Sequence, residues 1–195
     1  MSEPLTVVPN KIASELLKEG YNFVKLNSAK MKKLLESSMY MDRDKAETDE
    51  NYRQLVVYVT VFYDDFVLTY RRSGSEKRLH DLYTIGLGGH VNFVVDGCYS
   101  SALIREIQEE LGISTSAEDY YFGGIIYSNK TAVDRVHLGL HFVLPIYDEN
   151  VEISDEGYDL KLCTIEELKS LNLEQWSRLV VDSGVLDKSL RYFYG

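Results

Sequence analysis

Three glutamates in one short segment have the clearest chemical potential in this sequence. They are Glu106, Glu109 and Glu110, which follow Arg105. In a helix, at about 100° per residue, Glu110 lies about 40° and Glu109 about −60° from Glu106, so the three carboxylates share an arc of roughly 100°. Carboxylates this close repel one another unless a cation neutralises them. The spacing therefore indicates a site for a hard divalent cation such as Mg²⁺, which often joins one or two carboxylates to a phosphate.

Two further features support a site at this helix. Arg105 precedes the glutamates and can pair with one of them, which would fix the orientation of that carboxylate. Gly88-Gly89 lies before the helix, and because neither residue has a side chain, the backbone can approach a metal or a phosphate closely. An apolar stripe beside the acidic arc can bury against a sheet; it consists of Leu103, Ile104, Ile107 and Leu111.

The elements that would position this helix are mainly strands. Val- and Tyr-rich or alternating segments predict strands over 53–63, 66–72, 120–128, 135–147 and about 159–163. Helices are predicted over 11–19, 28–38, about 98–111, from the Thr164/Glu167 capping box, and over about 172–183. The polar stretch 40–51 is predicted to be an exposed connection. This order predicts an α/β fold in which a mixed sheet is covered on both faces by helices.

Composition limits the classes of partner. The chain has 195 residues, a formal net charge of −10 and a pI of about 4.9. Such acidity disfavours nucleic-acid polymers but allows a small anionic substrate bridged by divalent cations. No apolar run approaches the roughly 20 residues that span a bilayer, and the N-terminus lacks the pattern of a signal peptide. We therefore expect a cytoplasmic protein without a membrane partner, with Cys98 and Cys163 as reduced thiols.

The segment from Gly88 to Ile113 resembles the Nudix box, whose pattern is glycine, five residues, glutamate, seven residues, then Arg-Glu-aliphatic-x-Glu-Glu-x-Gly-aliphatic. Its second half is matched in full, by Arg105, Glu106, Ile107, Glu109, Glu110, Gly112 and Ile113. The first half departs from the pattern, because the loop is two residues longer. The loop glutamate falls on Gly97, with Asp96 one residue away.

The resemblance implies a Nudix fold over 51–195, with residues 1–50 as a helical extension docked on it. It also implies a hydrolase, dependent on Mg²⁺ or Mn²⁺, of a nucleoside diphosphate linked to another group, and by analogy a homodimer. The implied catalytic residues are Glu106, Glu109 and Glu110 with Arg105. The implied metal ligands are the same glutamates, a carbonyl of Gly88 or Gly89, and Glu156 from outside the box.

Substrate contacts are predicted at Arg71 and Arg72, which end a strand, and at His90, which follows Gly89. Three alternatives stay open. A non-catalytic ligand-binding or regulatory protein of the same fold would be consistent with the absent loop glutamate. Isopentenyl-diphosphate isomerase has a similar helix but carries a cysteine where this chain has Gly88-Gly89. A purely structural protein would need neither the glycines nor the acidic arc.

Overall fold

A mixed β-sheet forms the centre of the molecule. The structure is a computed structural model and describes residues 3–17, 23–72, 82–147 and 157–195. Its strands are β1 (Pro4–Pro9), β2 (Phe23–Val24), β3 (Met39–Asp42), β4 (Tyr52–Tyr63), β5 (Phe66–Arg72), β6 (Tyr83–Thr84), β7 (Tyr121–Ile126), β8 (His137–Ile146) and β9 (Gly157–Thr164). The longest pairing is the parallel one between β4 and β8, which runs from Gln54 opposite His137 to Tyr63 opposite Ile146. The other pairings between strands are antiparallel.

The strands follow the order β2-β7-β8-β4-β1-β3 across the sheet, and β5 pairs with β4, β6 and β9. The helices are α1 (Asn10–Leu17), α2 (Ser28–Glu36), α3 (Arg43–Ala46), α4 (Tyr99–Leu111), α5 (Ala132–Arg135), α6 (Ile165–Ser170), α7 (Gln175–Asp182) and α8 (Val185–Tyr194). A short 3₁₀ turn covers Ala117–Asp119.

Two apolar layers enclose the sheet. Odd-numbered residues of β4, such as Leu55 and Val57, pack with α1, α2 and α4, and we call this side the α4 face. Even-numbered residues, such as Tyr58 and Phe62, pack with α6, α7 and α8 on what we call the α7 face. This division follows from the alternation of side chains along a strand. The predicted mixed sheet covered on both faces by helices is thus confirmed.

The N-terminal residues form more of the sheet than the sequence predicts. β1 lies between β4 and β3, with Val7 opposite Gln54 and Leu5 opposite Met41. The stretch 40–51 is mostly exposed, as predicted, but the prediction of a connection is wrong, because this stretch contains part of β3 and all of α3. The pairing of β1 joins segments far apart in the chain, and local patterns do not encode it. The division at residue 50 stays a prediction, although β1 and β4 share one sheet.

The later elements agree with the predictions to within a few residues, including the capping box in which Thr164 and Glu167 start α6. The structure adds α8, which the sequence analysis did not predict. Both cysteines are free, Cys98 exposed and Cys163 buried. Among the described residues, no helix is both long and apolar enough to span a membrane.

Candidate active site

Helix α4 carries the three glutamates. Its apolar side is fully buried on the α4 face, at Ala102, Leu103, Ile107 and Leu111. The helix ends at Gly112, which adopts the left-handed conformation (φ 68°) that favours glycine. Because the acidic arc lies beside the buried stripe, Glu106 is largely covered, with a side chain 12% exposed, whereas Glu109 is 59% exposed.

Gly88 and Gly89 bring the backbone against these carboxylates. The Gly88 N–H donates to Glu110 Oε1 at 2.8 Å, which orients that side chain. A Cβ at Gly88 would lie 2.2 Å from the carbonyl oxygen of Val57, and the φ of 129° also requires glycine. A Cβ at Gly89 would lie 2.6 Å from Glu106 Oε1. Gly88 therefore requires glycine, and a side chain at Gly89 would displace the Glu106 carboxylate, so the pair allows the close approach that the sequence predicts.

Arg105 is the centre of an ion-pair network. Its guanidinium donates to Asp96 at 2.8 and 2.9 Å, to Glu106 Oε1 at 2.8 Å and to Glu109 Oε2 at 3.1 Å. A further N–H contacts the carbonyl oxygen of His90 at 3.2 Å. These contacts raise the pKa of Arg105, the hydrogen bonds to Asp96 most strongly. Arg105 thus holds two of the three glutamates in place, whereas the sequence predicted a pairing with one of them.

Asp96 is a site residue that the sequence analysis missed. Its side chain is 2% exposed, and besides binding Arg105 it accepts the Asn92 N–H at 2.7 Å. The longer loop brings this shorter acid to Arg105, although Asp96 lies one residue from the position of the loop glutamate. The loop does present a carboxylate to the helix. The sequence does contain a signal, because Asp96 nearly matches the position of the loop glutamate. It does not show where the loop places this side chain.

The charges around α4 suit a divalent cation. Three carboxylates (Asp96, Glu106 and Glu109) contact the guanidinium of Arg105, and Glu110 is held nearby by Gly88 N–H, so the formal charge of these five side chains is −4 + 1 = −3. Burial raises the pKa of Glu106, and the neighbouring carboxylates of Glu109 and Asp96 add to this. Since Glu106 Oε2 and Glu109 Oε1 take no part in the contacts with Arg105, the arc retains oxygens of the kind that Mg²⁺ prefers.

The other predicted site residues do not join the glutamates. Arg71 lies over the ring of Tyr83 at 4.5 Å and within 3.4 Å of Asp159, on the α7 face. The side chain of Arg72, at the end of β5, and the whole of Glu156 lie outside the described residues. His90 pairs with Val56 across an antiparallel bridge, and its side chain therefore points to the α7 face, away from Glu106.

His90 instead belongs to a second polar cluster. Its Nε2 lies 3.0 Å from Nε2 of His137, at the start of β8. A carboxylate oxygen of Glu47, just after α3, joins them, so that the three ligand atoms lie within 4.8 Å of one another. Burial, together with the nearby charges of His137 and Arg43, lowers the pKa of His90 to about 3. No local pattern in the sequence indicates that Glu47 and His137 belong to one group with His90.

Comparison with known proteins places these features in a family. No family model matches the chain. Protein YmaB of Bacillus subtilis (strain 168) is 33% identical over 157 residues, which cover 73% of this chain and 76% of YmaB. The crystal structure of Tm1382, a protein assigned to the Nudix hydrolases, is similar over 98% of this chain and 100% of Tm1382, with a TM-score of 0.78 and 31% identity.

A more distant structure shares the fold alone. The Nudix domain of Shewanella oneidensis NrtR, complexed with ADP-ribose, has a TM-score of 0.57 and 13% identity over 71% of this chain and 88% of that domain. The likeness to Tm1382 over almost the whole chain, together with the Gly88-Gly89 step and the helix from Arg105 to Gly112, gives one consistent assignment. This chain belongs to the Nudix superfamily.

Proposed function

We propose that this protein is a hydrolase, dependent on Mg²⁺ or Mn²⁺, that cleaves the diphosphate linkage of a nucleoside diphosphate joined to another group. The observation that carries the proposal is the set of α4 glutamates, which are already oriented by other groups of the chain. Gly88 N–H holds Glu110, and Arg105 holds Glu106 and Glu109. Preorganised charge of this kind is the main means by which proteins catalyse phosphoryl transfer.

The residues that would hold the cation are Glu106, Glu109 and Glu110, with a backbone carbonyl from the glycine pair. Gly89 O already accepts the Val57 N–H at 2.9 Å, so we assign this role to Gly88 O. When bound, the cation polarises the phosphoryl oxygens and lowers the pKa of water, so that hydroxide is available near neutral pH. Glu156, which lies outside the described residues, stays a predicted additional ligand.

The chain's own residues have three roles in this proposal. Arg105 and Gly88 fix the carboxylates, which limits their reorganisation when charge develops on the phosphate. Glu106, between Arg105 and Gly89, either joins the ligands or positions the attacking water through Oε2. Asp96 shares the charge of Arg105, so that the guanidinium does not neutralise the glutamates completely.

The alternative of a non-catalytic ligand-binding protein was favoured by a loop without its glutamate. Asp96 supplies a buried carboxylate to Arg105 in this loop, which supports the hydrolase proposal over that alternative. Small diphosphate derivatives are the proposed substrates, and Arg71, Arg72 and His90 stay predictions as contacts to them. Arg71 is already engaged by Tyr83 and Asp159, which makes it the less favoured of the two arginines. The homodimer and the cytoplasmic location also stay predictions.

The test is release of nucleotide or phosphate from a panel of nucleoside diphosphate derivatives, with Mg²⁺, with Mn²⁺ and with EDTA. We expect metal-dependent turnover that falls about 100-fold or more in Glu110→Gln, the scale for losing one group that stabilises transition-state charge. Glu118→Gln is the matched control, because Glu118 is an exposed acid in the 3₁₀ turn. Absence of turnover on the whole panel by folded protein would instead favour a ligand-binding role.

A further inference from the structure

We propose that Glu47, His90 and His137 form a second metal site, selective for a borderline transition-metal cation such as Zn²⁺. The set has two imidazoles and one carboxylate, which is a common ligand combination for Zn²⁺ with one position left for water. Mg²⁺ prefers oxygen ligands, so it would bind poorly to two imidazole nitrogens. The proposed site therefore differs in chemistry from the acidic arc of α4.

The geometry is close to what such a cation requires. With bonds of about 2.0–2.1 Å, a tetrahedral Zn²⁺ holds its ligand atoms about 3.3–3.4 Å apart. Nε2 of His90 and Nε2 of His137 are 3.0 Å apart, so they need to separate by only a few tenths of an ångström. All three ligand atoms already lie within 4.8 Å of one another, and the long, exposed side chain of Glu47 can close the remaining distance.

The histidine pair is prepared for coordination by its neighbours. His137 Nδ1 lies 2.7 Å from the carbonyl oxygen of Val133, which can only accept, so Nδ1 carries the proton. In the neutral ring the lone pair is then on Nε2, which points at His90. A backbone carbonyl that fixes the tautomer in this way is a typical outer partner of a metal-binding histidine.

A buried amide beside the histidines provides an independent indication of a ligand. Gln54 is 1% exposed, yet in the part of the chain that the structure describes neither its Oε1 nor its Nε2 has a hydrogen-bond partner. The strand register places Gln54 opposite His137, and Val56, two residues on, opposite His90, so all four share the α7 face. A water molecule in the fourth position of the metal would give this amide a partner.

The site is separate from the α4 glutamates. Gly89 lies against Glu106 on the α4 face, whereas His90, the next residue of an extended segment, points to the α7 face. Three guanidinium groups lie near the cluster. Arg53 donates to the His137 carbonyl at 3.1 Å and Arg105 to the His90 carbonyl at 3.2 Å, whereas Arg43 is 3.4 Å from Glu47 and 3.3 Å from Glu3. Exposed pairs of this kind contribute little stability, so a cation can draw Glu47 away from Arg43.

A cation at this site would join three segments of the fold. Glu47 follows α3, His137 begins β8, and His90 follows the glycine pair that contacts the α4 glutamates. The carbonyl of His90 also accepts from Arg105. We therefore expect bound Zn²⁺ to raise the melting temperature of the protein and to stabilise the segment that presents Gly88 and Gly89.

The experiment uses metal-free protein in millimolar Mg²⁺, which occupies sites that prefer oxygen ligands. Zn²⁺ is titrated by calorimetry, and Co²⁺ is followed by the visible absorption that tetrahedral Co²⁺ shows. We expect one Zn²⁺ per chain and a rise in melting temperature, with affinity at least about tenfold weaker in Glu47→Gln and in His90→Gln. Asp44→Asn, in the short helix that precedes Glu47, and Glu110→Gln, at the other site, are the controls and should bind as wild type does.

Glu47 is exposed, so Glu47→Gln should fold even if a histidine variant does not. Circular dichroism checks the fold of each variant. Equal Zn²⁺ affinity in wild type, Glu47→Gln and folded His90→Gln would overturn the proposal, as would no Zn²⁺ binding by folded wild type. Loss of binding in Glu110→Gln but not in Glu47→Gln would also overturn it, because it would assign the Zn²⁺ to the α4 glutamates.

Discussion

Replacing Asp96 by Asn tests whether this loop carboxylate holds Arg105 for the glutamates. The substitution keeps the size of the side chain but removes the charge. In the wild type, Asp96 receives two hydrogen bonds from Arg105, at 2.8 and 2.9 Å, and one from Asn92 N–H at 2.7 Å. The side-chain amide of Asn has only one accepting oxygen, so its NH₂ group would face an N–H donor of Arg105 or Asn92.

The expected loss of stability follows from burial. Removing one partner of a buried ion pair costs about 3–5 kcal/mol. The Asp96 side chain is 2% exposed, but Arg105 is 26% exposed and keeps its contacts to Glu106 and Glu109. We therefore expect a smaller loss, about 2–3 kcal/mol. For a chain of this length that corresponds to a melting temperature lower by about 4–12 °C.

Asp96→Asn should also raise the Mg²⁺ concentration that activity requires. Without Asp96, the guanidinium of Arg105 has only Glu106 and Glu109 as carboxylate partners in the network, and it competes with the cation for them. We expect the Mg²⁺ concentration for half-maximal activity to rise about tenfold or more, the scale for loss of an outer-shell partner. The assays are thermal unfolding and a Mg²⁺ titration of turnover, with Asp182→Asn, an exposed acid at the end of α7, as control. An unchanged melting temperature and Mg²⁺ requirement in Asp96→Asn would refute this reasoning.

Three further predictions concern single residues. Gly89→Ala should lower kcat/KM about tenfold or more, because its Cβ would lie 2.6 Å from Glu106 Oε1 and would displace that carboxylate. An unchanged kcat/KM would contradict this. Burial lowers the pKa of His141 to about 3. The stabilisation that neutral His141 provides is complete above about pH 6.5 and is lost toward pH 3. Between these pH values, the free energy of unfolding measured with urea should depend less steeply on pH in His141→Gln than in wild type, by up to about 1.4 kcal/mol per pH unit. An equal pH dependence in the two proteins would contradict this. Hydrogen bonds from neighbouring serines lower the pKa of Cys98 to about 7, whereas burial raises that of Cys163. Iodoacetamide at about neutral pH should therefore alkylate Cys98 first, as mass spectrometry would show.

The parts of the site that were predictable depend on short-range geometry. The arc of Glu106, Glu109 and Glu110 follows from helical periodicity, and the helix lies where the pattern placed it. The general role of Gly88-Gly89 was also predictable, because two residues without side chains let the backbone approach other groups closely. The named contacts, Gly88 to Glu110 and Gly89 to Glu106, required the structure.

The parts that were missed depend on pairing between distant segments. Asp96 reaches Arg105 because of the path of a loop, which no periodicity describes. His90 and His137 meet because both neighbour β4, at Val56 and Gln54, and this strand register is not visible in either local pattern. β1 was missed for the same reason, because its partners in β3 and β4 lie more than 30 residues away along the chain.

The most direct test of the central claim compares wild type with the double variant Glu109→Gln/Glu110→Gln. The measurement is release of nucleotide from a substrate of the panel in saturating Mg²⁺, together with thermal unfolding of both proteins. We predict that the variant unfolds cooperatively, as wild type does, and has no turnover, because the two carboxylates that would hold the cation are gone. Turnover retained by the folded double variant would contradict the assignment of the α4 glutamates as the catalytic metal site.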